Sequence, residues 1–463
     1  MLSRLLFFFL LIGCLSACSV LSDYPGNTES ARAHFFSGHF DAALSEYRLG
    51  IEDHSLDRIL YLLEAGTAAH QGKKYSESNA LFEQAENLIE TYEDRAKVSV
   101  SEQTENLGSL MLNDKTLPYE GLAFEKVLLS NYQALNYLLL GDIERALTVV
   151  RRAQRRQEEA YDQYEVELER DKNQAVPQEY QSFVGTIRSE YDKIATLPSA
   201  YVNDTSSVFQ LANTFYLSGV LSELSGAADQ ARIYYQKTLE SFPSFQYANP
   251  NGGSGNAVPH SGSIVVFFQC DVAPVKEERY IVVPTGGAGF QKIAWPVYGP
   301  SPLTISQLEM QVGETVAGSQ VLTDMNSVAL RYFIQHTRAR IIRAALRITA
   351  KIASQKATEE AVRHSSGNDW AFLAGLTASA INSWTEQADL RSWLTLPRSF
   401  QALRLSLPAG EYPASFRLKS AYGGNANQLS LGKVVVEAGK IRVFVVRALG
   451  NQIYFDTYPK PRS

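Results

Sequence analysis

The sequence predicts a multidomain α + β protein: an α-helical solenoid first, then a sandwich-like β-sheet domain that carries a helical insertion. Three observations predict this. Apolar residues recur at helical spacing from about residue 30, and the pattern repeats along the chain. A stretch rich in Gly, Pro, Asn and Ser over 249–262 interrupts it. Beyond that stretch the period switches to two, in short apolar runs bounded by turn residues. A chain of 463 residues has the length for two or three domains with sizeable cores.

The first element is not part of the fold. Arg4 precedes an apolar run from Leu5 to Ile12, and small residues lead to Cys18, the layout of a secretory signal over 1–17. The run is too short for a bilayer core, which needs roughly 20 apolar residues. Leu15-Ser16-Ala17-Cys18 resembles the bacterial lipoprotein processing site, with Leu11-Ile12-Gly13-Cys14 as a looser alternative. That resemblance implies a lipid on the Cys18 thiol, an acylated new N-terminus and, with Ser19 next, an outer-membrane address on the periplasmic face. Two or more acyl chains make such an anchor stable. Residues 18–29 lack periodicity and are expected to be a flexible tether.

The helical domain is expected over 30–248. Its units emerge on taking an origin and reading two, five, nine and twelve places on. Gly38 leads to Phe40, Ala43, Tyr47 and Gly50, and Lys73 to Tyr75, Ser78, Phe82 and Ala85. Gly141 leads to Ile143, Ala146, Val150 and Ala153, and Gly226 to Ala228, Ala231, Tyr235 and Thr238. A turn glycine permits a tight link between antiparallel helices, and small residues let neighbouring backbones approach. These offsets resemble the tetratricopeptide repeat family, whose unit is about 34 residues. The interval from 38 to 73 fits, the interval from 73 to 141 leaves room for a degenerate unit around 95–120, and the interval from 141 to 226 is too long. The excess falls in the charged stretch Arg151 to Thr196, expected to prolong one helix and add another, with its charges on a solvated face.

After the linker 249–262, the domain 263–463 is expected to be β-rich. Ile264 to Phe268 and Tyr280 to Val283 are apolar strands, and Leu308, Met310 and Val312 alternate with polar residues. Leu403, Leu405 and Leu407 alternate likewise, then Pro408-Ala409-Gly410 turns the chain towards Tyr412 to Leu418. Val434 to Val436, Ala438-Gly439 and Ile441 to Val446 predict a hairpin. A helical insertion is expected over 323–393, with Arg340, Arg343, Arg347 and Lys351 on one basic face that could contact an anionic surface, and a small-residue helix from Trp370 to Gln387.

Composition excludes some classes. The formal charge of −6 becomes one unit more negative without Arg4, which argues against nucleic acid as partner. After cleavage Cys270 is the remaining thiol, so no intrachain disulfide forms, and its place at the end of an apolar strand predicts burial. No phosphate loop, Gly-x-Ser-x-Gly elbow or His-Glu-x-x-His is present, and no metal or cofactor is expected. Gly286-Gly287-Ala288-Gly289 precedes no helix, and His34 and His39 lack companion ligands at metal spacing.

Tyr119-Glu120-Gly121, Phe124 to Val127, Tyr132 to Tyr137, Asp389-Leu390-Arg391-Ser392-Trp393 and Leu407 to Tyr412 together resemble a family of poorly characterised Gram-negative lipoproteins. Members of that family tend to be encoded near lipoprotein activators of penicillin-binding proteins, so the resemblance implies a cell-envelope role, with no catalytic residues to carry over. The expectation is therefore a non-enzymatic scaffold that binds a protein partner on the concave face, near Tyr119, Glu125, Tyr132 and Tyr137. A wall-modifying hydrolase in the sheet domain is the second reading. Polysaccharide binding by exposed Trp295, Trp370, Trp384 and Trp393 is the third. Asp389, Arg391 and Trp393 are expected to form a buried ion pair and an aromatic anchor at a helix-to-strand corner.

Overall fold

A computed structural model describes residues 24–53, 56–101, 117–173, 209–248, 260–284, 290–299, 301–334 and 387–460, with the single positions 181, 185, 189 and 336. The helices are α1 (Tyr24–Asn27), α2 (Glu29–Phe36), α3 (Phe40–Glu52), α4 (Arg58–Gln71), α5 (Tyr75–Ser101), α6 (Ala123–Leu140), α7 (Ile143–Asn173), α8 (Ala212–Leu224) and α9 (Ala228–Ser241).

Four of the inter-helix turns are the same object. Gly38, Lys73, Gly141 and Gly226 all have positive φ, between 61° and 82°. At each, the N–H of the turn residue reaches the carbonyl three residues back, and the next N–H reaches the carbonyl five residues before it. For Gly141 these are Leu138 O at 2.9 Å and, from Asp142, Tyr137 O at 2.8 Å; for Lys73 they are His70 O at 3.0 Å and, from Lys74, Ala69 O at 2.9 Å. This left-handed closure satisfies helix-end carbonyls and aims the next helix back along the last. Five and nine residues after each turn, Ala43, Ser78, Ala146 and Ala231, then Tyr47, Phe82, Val150 and Tyr235, are completely buried. Seven residues before each turn stand Ala31, Gly66, Ala134 and Gly219, all buried. A Cβ on Gly66 would lie 2.5 Å from the Phe82 ring, and one on Gly219 2.5 Å from the Tyr235 ring. The repeat is therefore a packing rule: a small residue on the first helix receives a large one from the second. The degenerate unit expected around 95–120 lies mostly outside the described residues. The charged stretch does prolong one helix, α7, while the added helix expected after it lies outside them.

The strands are β1 (Ser261–Cys270), β2 (Lys276–Pro284), β3 (Phe290–Tyr298), β4 (Ile305–Val312), β5 (Thr315–Gly318), β6 (Gln320–Asp324), β7 (Ser399–Pro408), β8 (Gly410–Ser420), β9 (Asn425–Val436), β10 (Ile441–Leu449) and β11 (Gln452–Tyr458). A five-stranded sheet runs β11-β10-β1-β7-β6, a four-stranded sheet β5-β4-β8-β9, and β2 pairs with β3. Within the five-stranded sheet β1 is parallel to β10 and antiparallel to β7. Ile264, Val266, Phe268, Leu403 and Phe444 on one face pack with Leu308, Met310 and Phe416 of the smaller sheet. Val265, Phe267, Ala402, Val443 and Val445 on the other face join a core with Leu138, Val150, Tyr216 and Tyr235 of the helices. The order is helices, sheet, sheet, and the central strands are apolar on both faces because both are covered.

Val434 to Val446 is not a hairpin. β9 pairs with β8 and β10 pairs with β1 and β11, so the turn at Ala438-Gly439 carries the chain from one sheet to the other. The reason is burial: a strand with seven consecutive buried residues, Val443 to Leu449, needs cover on both sides and takes the place beside β1. Of the insertion over 323–393, residues 325–334 are helical. Arg340, Arg343, Arg347 and Lys351 lie outside the described residues, as do Trp370 to Ile381, Trp384, Gly286 to Gly289, Cys14 and Cys18. Most of the linker 249–262 does too, and β1 begins at Ser261. Among the described residues no helix is long and apolar enough to cross a membrane.

Candidate functional site

The helical array holds an irregular strap, residues 388–396, from the chain's own C-terminal half, with a turn at Leu394 and Thr395. Trp393, 2% exposed, stands at its centre. Its ring lies among those of Phe82, at 5.9 Å between centroids, and Tyr132, at 5.6 Å, and its indole N–H donates to Thr67 Oγ1 at 3.1 Å. Leu394 and Leu396 are buried in the same cluster as Leu60, Leu63, Val127 and Leu128. A buried Trp needs both the apolar walls and a partner for its N–H, and α4 to α6 provide both.

Two buried carboxylates grip the strap by its main chain. Glu125 accepts the Trp393 N–H at 2.8 Å, and Glu64 accepts the Leu394 N–H at 2.6 Å together with the Thr395 hydroxyl. Glu125 also accepts the Leu122 N–H at 2.9 Å, capping α6, and the Tyr119 hydroxyl. Burial pushes the Glu64 carboxyl up to about 7, against the hydrogen bonds from Thr395 and Leu394, which lower it. Burial likewise raises Glu125, opposed by its bonds from Leu122, Tyr119 and Trp393.

Arg391 locks the strap's start. It meets Asp389 at 2.8 Å and Asp57 at 3.2 Å, donates to Leu117 O at 2.9 Å, and lies 5.5 Å from the Tyr119 ring centre. The Asp389 carboxyl is held below its usual range: burial opposes this, and the Arg391 hydrogen bond and the charges of Lys276 and Arg391 outweigh it. On the strap's other side Lys276 donates to Arg391 O at 2.7 Å, and the Ala273 N–H to Leu396 O at 2.9 Å. The expected ion pair and aromatic anchor at Asp389, Arg391 and Trp393 are thus the core of a joint between the two halves.

This corrects the expected partner site. Tyr119, Glu125 and Tyr132 are buried, and each already has a partner within the chain, the Tyr132 hydroxyl donating to Gln269 Oε1 at 3.1 Å. Tyr137 is half-buried beneath the Arg145 guanidinium, 5.8 Å from its ring centre. The face is occupied because the same aromatic and acidic residues that would anchor a foreign peptide anchor residues 388–396. Glu64 and Thr67 complete the site, and sequence reasoning missed them. Glu64, between Leu60 to Leu63 and Ala65-Gly66, was the available signal, since a carboxylate amid core residues needs a donor.

The other candidates fall out as follows. Cys270 is buried, and burial pushes its thiol up to about 12. Trp295 and Trp393 are both buried, which removes two of the four rings from a polysaccharide surface. Among the described residues no cluster of His, Cys, Asp and Glu could hold a metal ion. His34 instead pairs with Glu46 at 3.2 Å.

No protein-family model matches the chain, and no curated protein is detectably similar. Among solved structures it is similar to the TPR2AB domain of yeast Sti1 in complex with a pHSP90, at 14% identity over 48% of this chain and 78% of that one, with a TM-score of 0.21. It is also similar to YrrB, described as a TPR protein with an unusual peptide-binding site, at 14% identity over 48% of this chain and 88% of that one, with a TM-score of 0.20. The repeat architecture itself rests on the four equivalent turns and their buried positions.

Proposed function

We propose that the chain is a lipid-anchored scaffold on the periplasmic face of the outer membrane, tethered through Cys18 and serving protein assembly in peptidoglycan synthesis. One observation carries the reading: the helical array holds a non-helical stretch of polypeptide by its main-chain N–H groups, through Glu64 and Glu125. This is how a groove recognises a peptide rather than how an active site handles a substrate. Both carboxylates are saturated by donors and closed to solvent, so they are structural and not catalytic. Since the groove is filled in cis, the scaffold engages partners on its outward helical surfaces, where Leu49 and Leu140 are 68% and 48% exposed.

The test is photo-crosslinking in intact cells, with a photoreactive residue replacing Leu49 or Leu140, and Tyr132 as the interior position. The expected result is a defined envelope protein captured from an outward position and none from Tyr132. Capture from Tyr132 alone would overturn the filled-groove account, and capture of nothing from the outward positions would overturn the scaffold.

A further inference from the structure

We propose that a cleft between the helical array and the five-stranded sheet binds a carboxylate group, with Arg447 at its floor and Lys73 at its mouth. This stands independently of the scaffold reading. The cleft is formed where α4, α5 and β1 meet β10 and β11, and its volume of about 20 Å³ suits one small polar group.

Arg447 is the main reason. It is 2% exposed, and only its Nη2 is used, donating to Asp271 O at 2.9 Å and Thr395 O at 3.3 Å. Nε and Nη1 have no acceptor among the described residues. A guanidinium carries five donors and stays charged, so burying it against two neutral carbonyls leaves most of its hydrogen-bonding capacity unused, with the Asp271 charge acting on it only through space. Burial correspondingly lowers its affinity for its proton.

The remaining charges leave the cleft positive. Asp456 is the acidic residue of the lining, and it is already bound by the Tyr75 hydroxyl at 2.6 Å and by Lys460. His70 is neutral at pH 7: burial brings its imidazole down to about 4, and its Nδ1 is hydrogen-bonded to Asn136 Oδ1 at 2.6 Å. Asp456, the carboxylate of the lining, is thus engaged by Tyr75 and Lys460 and forms no ion pair with Arg447 or Lys73. A planar two-oxygen anion is the natural complement of a guanidinium and fits the small volume better than a tetrahedral one.

Lys73 supplies a second line of argument. The three equivalent turns use glycine at positive φ, whereas Lys73 adopts φ 61°, a conformation that L side chains visit at a cost. Its ammonium group lies 5.8 Å from the ring centre of Phe455, which lines the same cleft. The strained turn thus places a cation at the entrance.

The test uses the full mature chain and sodium acetate, with sodium chloride at matched ionic strength as reference, read by thermal shift and titration calorimetry. Acetate is expected to raise Tm above the chloride reference in a saturable way. Lys73→Gly should weaken acetate binding about tenfold while the protein still unfolds cooperatively. Arg447→Met should abolish binding, and if that variant does not fold, Lys73→Gly decides alone. Trialanine with a free carboxylate, compared with its C-terminal amide, distinguishes the source: tighter binding of the free acid than of acetate points to a chain terminus, and equal binding to a free monocarboxylate. Equal effects of acetate and chloride, stronger binding of inorganic phosphate, or unchanged acetate affinity in Lys73→Gly would each overturn the proposal.

Discussion

The four hairpin turns and the strap over 388–396 both hold neighbouring elements together, by opposite means. A turn works through backbone geometry within six residues, and a positive φ with two short hydrogen bonds is all it needs. The strap works through contacts between residues 268 to 334 apart in sequence, where two carboxylates, an ion pair and one indole ring converge. The difference separates what makes a helical repeat from what makes this protein one body. Removing a turn residue weakens one hairpin, whereas removing the strap's anchor loosens a core that both halves share.

The largest expected effect is therefore Trp393→Ala. Loss of a fully buried ring from the shared core should lower stability by about 3–5 kcal/mol, measured by urea unfolding, with helix and sheet signals shifting together. Next comes Gly219→Ala, whose added methyl would meet the Tyr235 ring at 2.5 Å. Overpacking there should cost about 1–3 kcal/mol, while Gly226→Ala, which meets no atom within 4 Å but has φ +82°, should cost only about 1 kcal/mol. If Gly226→Ala proves the worse, the turns rather than the interdigitated rings set hairpin stability.

Acidity distinguishes the two regions further. In the folded chain Glu64 ionises near pH 7, above its ordinary 4.5, so between those values the native state holds a proton that the unfolded state has released. Its contribution is full below pH 4.5, falls as pH rises towards 7 and is level above that, a change on the order of 3 kcal/mol. His70 acts oppositely, because its lowered value makes acid below about 6.5 destabilising. Comparing Glu64→Gln with the wild type across pH 5 to 8 isolates the first effect: the variant should lose that decline, and an unchanged decline would assign it to another group. The smallest effect is Lys73→Gly, expected to stabilise by about 0.5–1 kcal/mol in thermal unfolding by relieving the positive φ, the reverse of every other substitution here.

The same contrast explains what could be read in advance. The offsets after Gly38, Lys73, Gly141 and Gly226 fall on the core because a turn and its packing lie within one stretch of chain. The alternation of Leu308, Met310 and Val312 gave β4 for the same reason, its inward face being a local property. The apparent hairpin around Gly439 was misread because strand pairing is decided by which distant strand needs cover, and β1 claimed β10. Tyr119, Glu125 and Tyr132 were expected on a surface open to a partner and are instead buried against the chain's own strap, and a contact such as that of Glu64 with Leu394, 330 residues away, lies beyond any local pattern. Lys73 was read as a turn origin, but its positive φ was not legible because the residue is not a glycine.

The central claim is that the strap makes the helical array and the sheet one cooperative unit. Native-state hydrogen exchange on the wild type and Trp393→Ala tests it most directly, comparing amides of Arg58–Gln71 with those of β1 and β10. The account predicts that all three segments lose protection together and by similar factors. Loss confined to the strap, with helix and central strands protected as before, would contradict it.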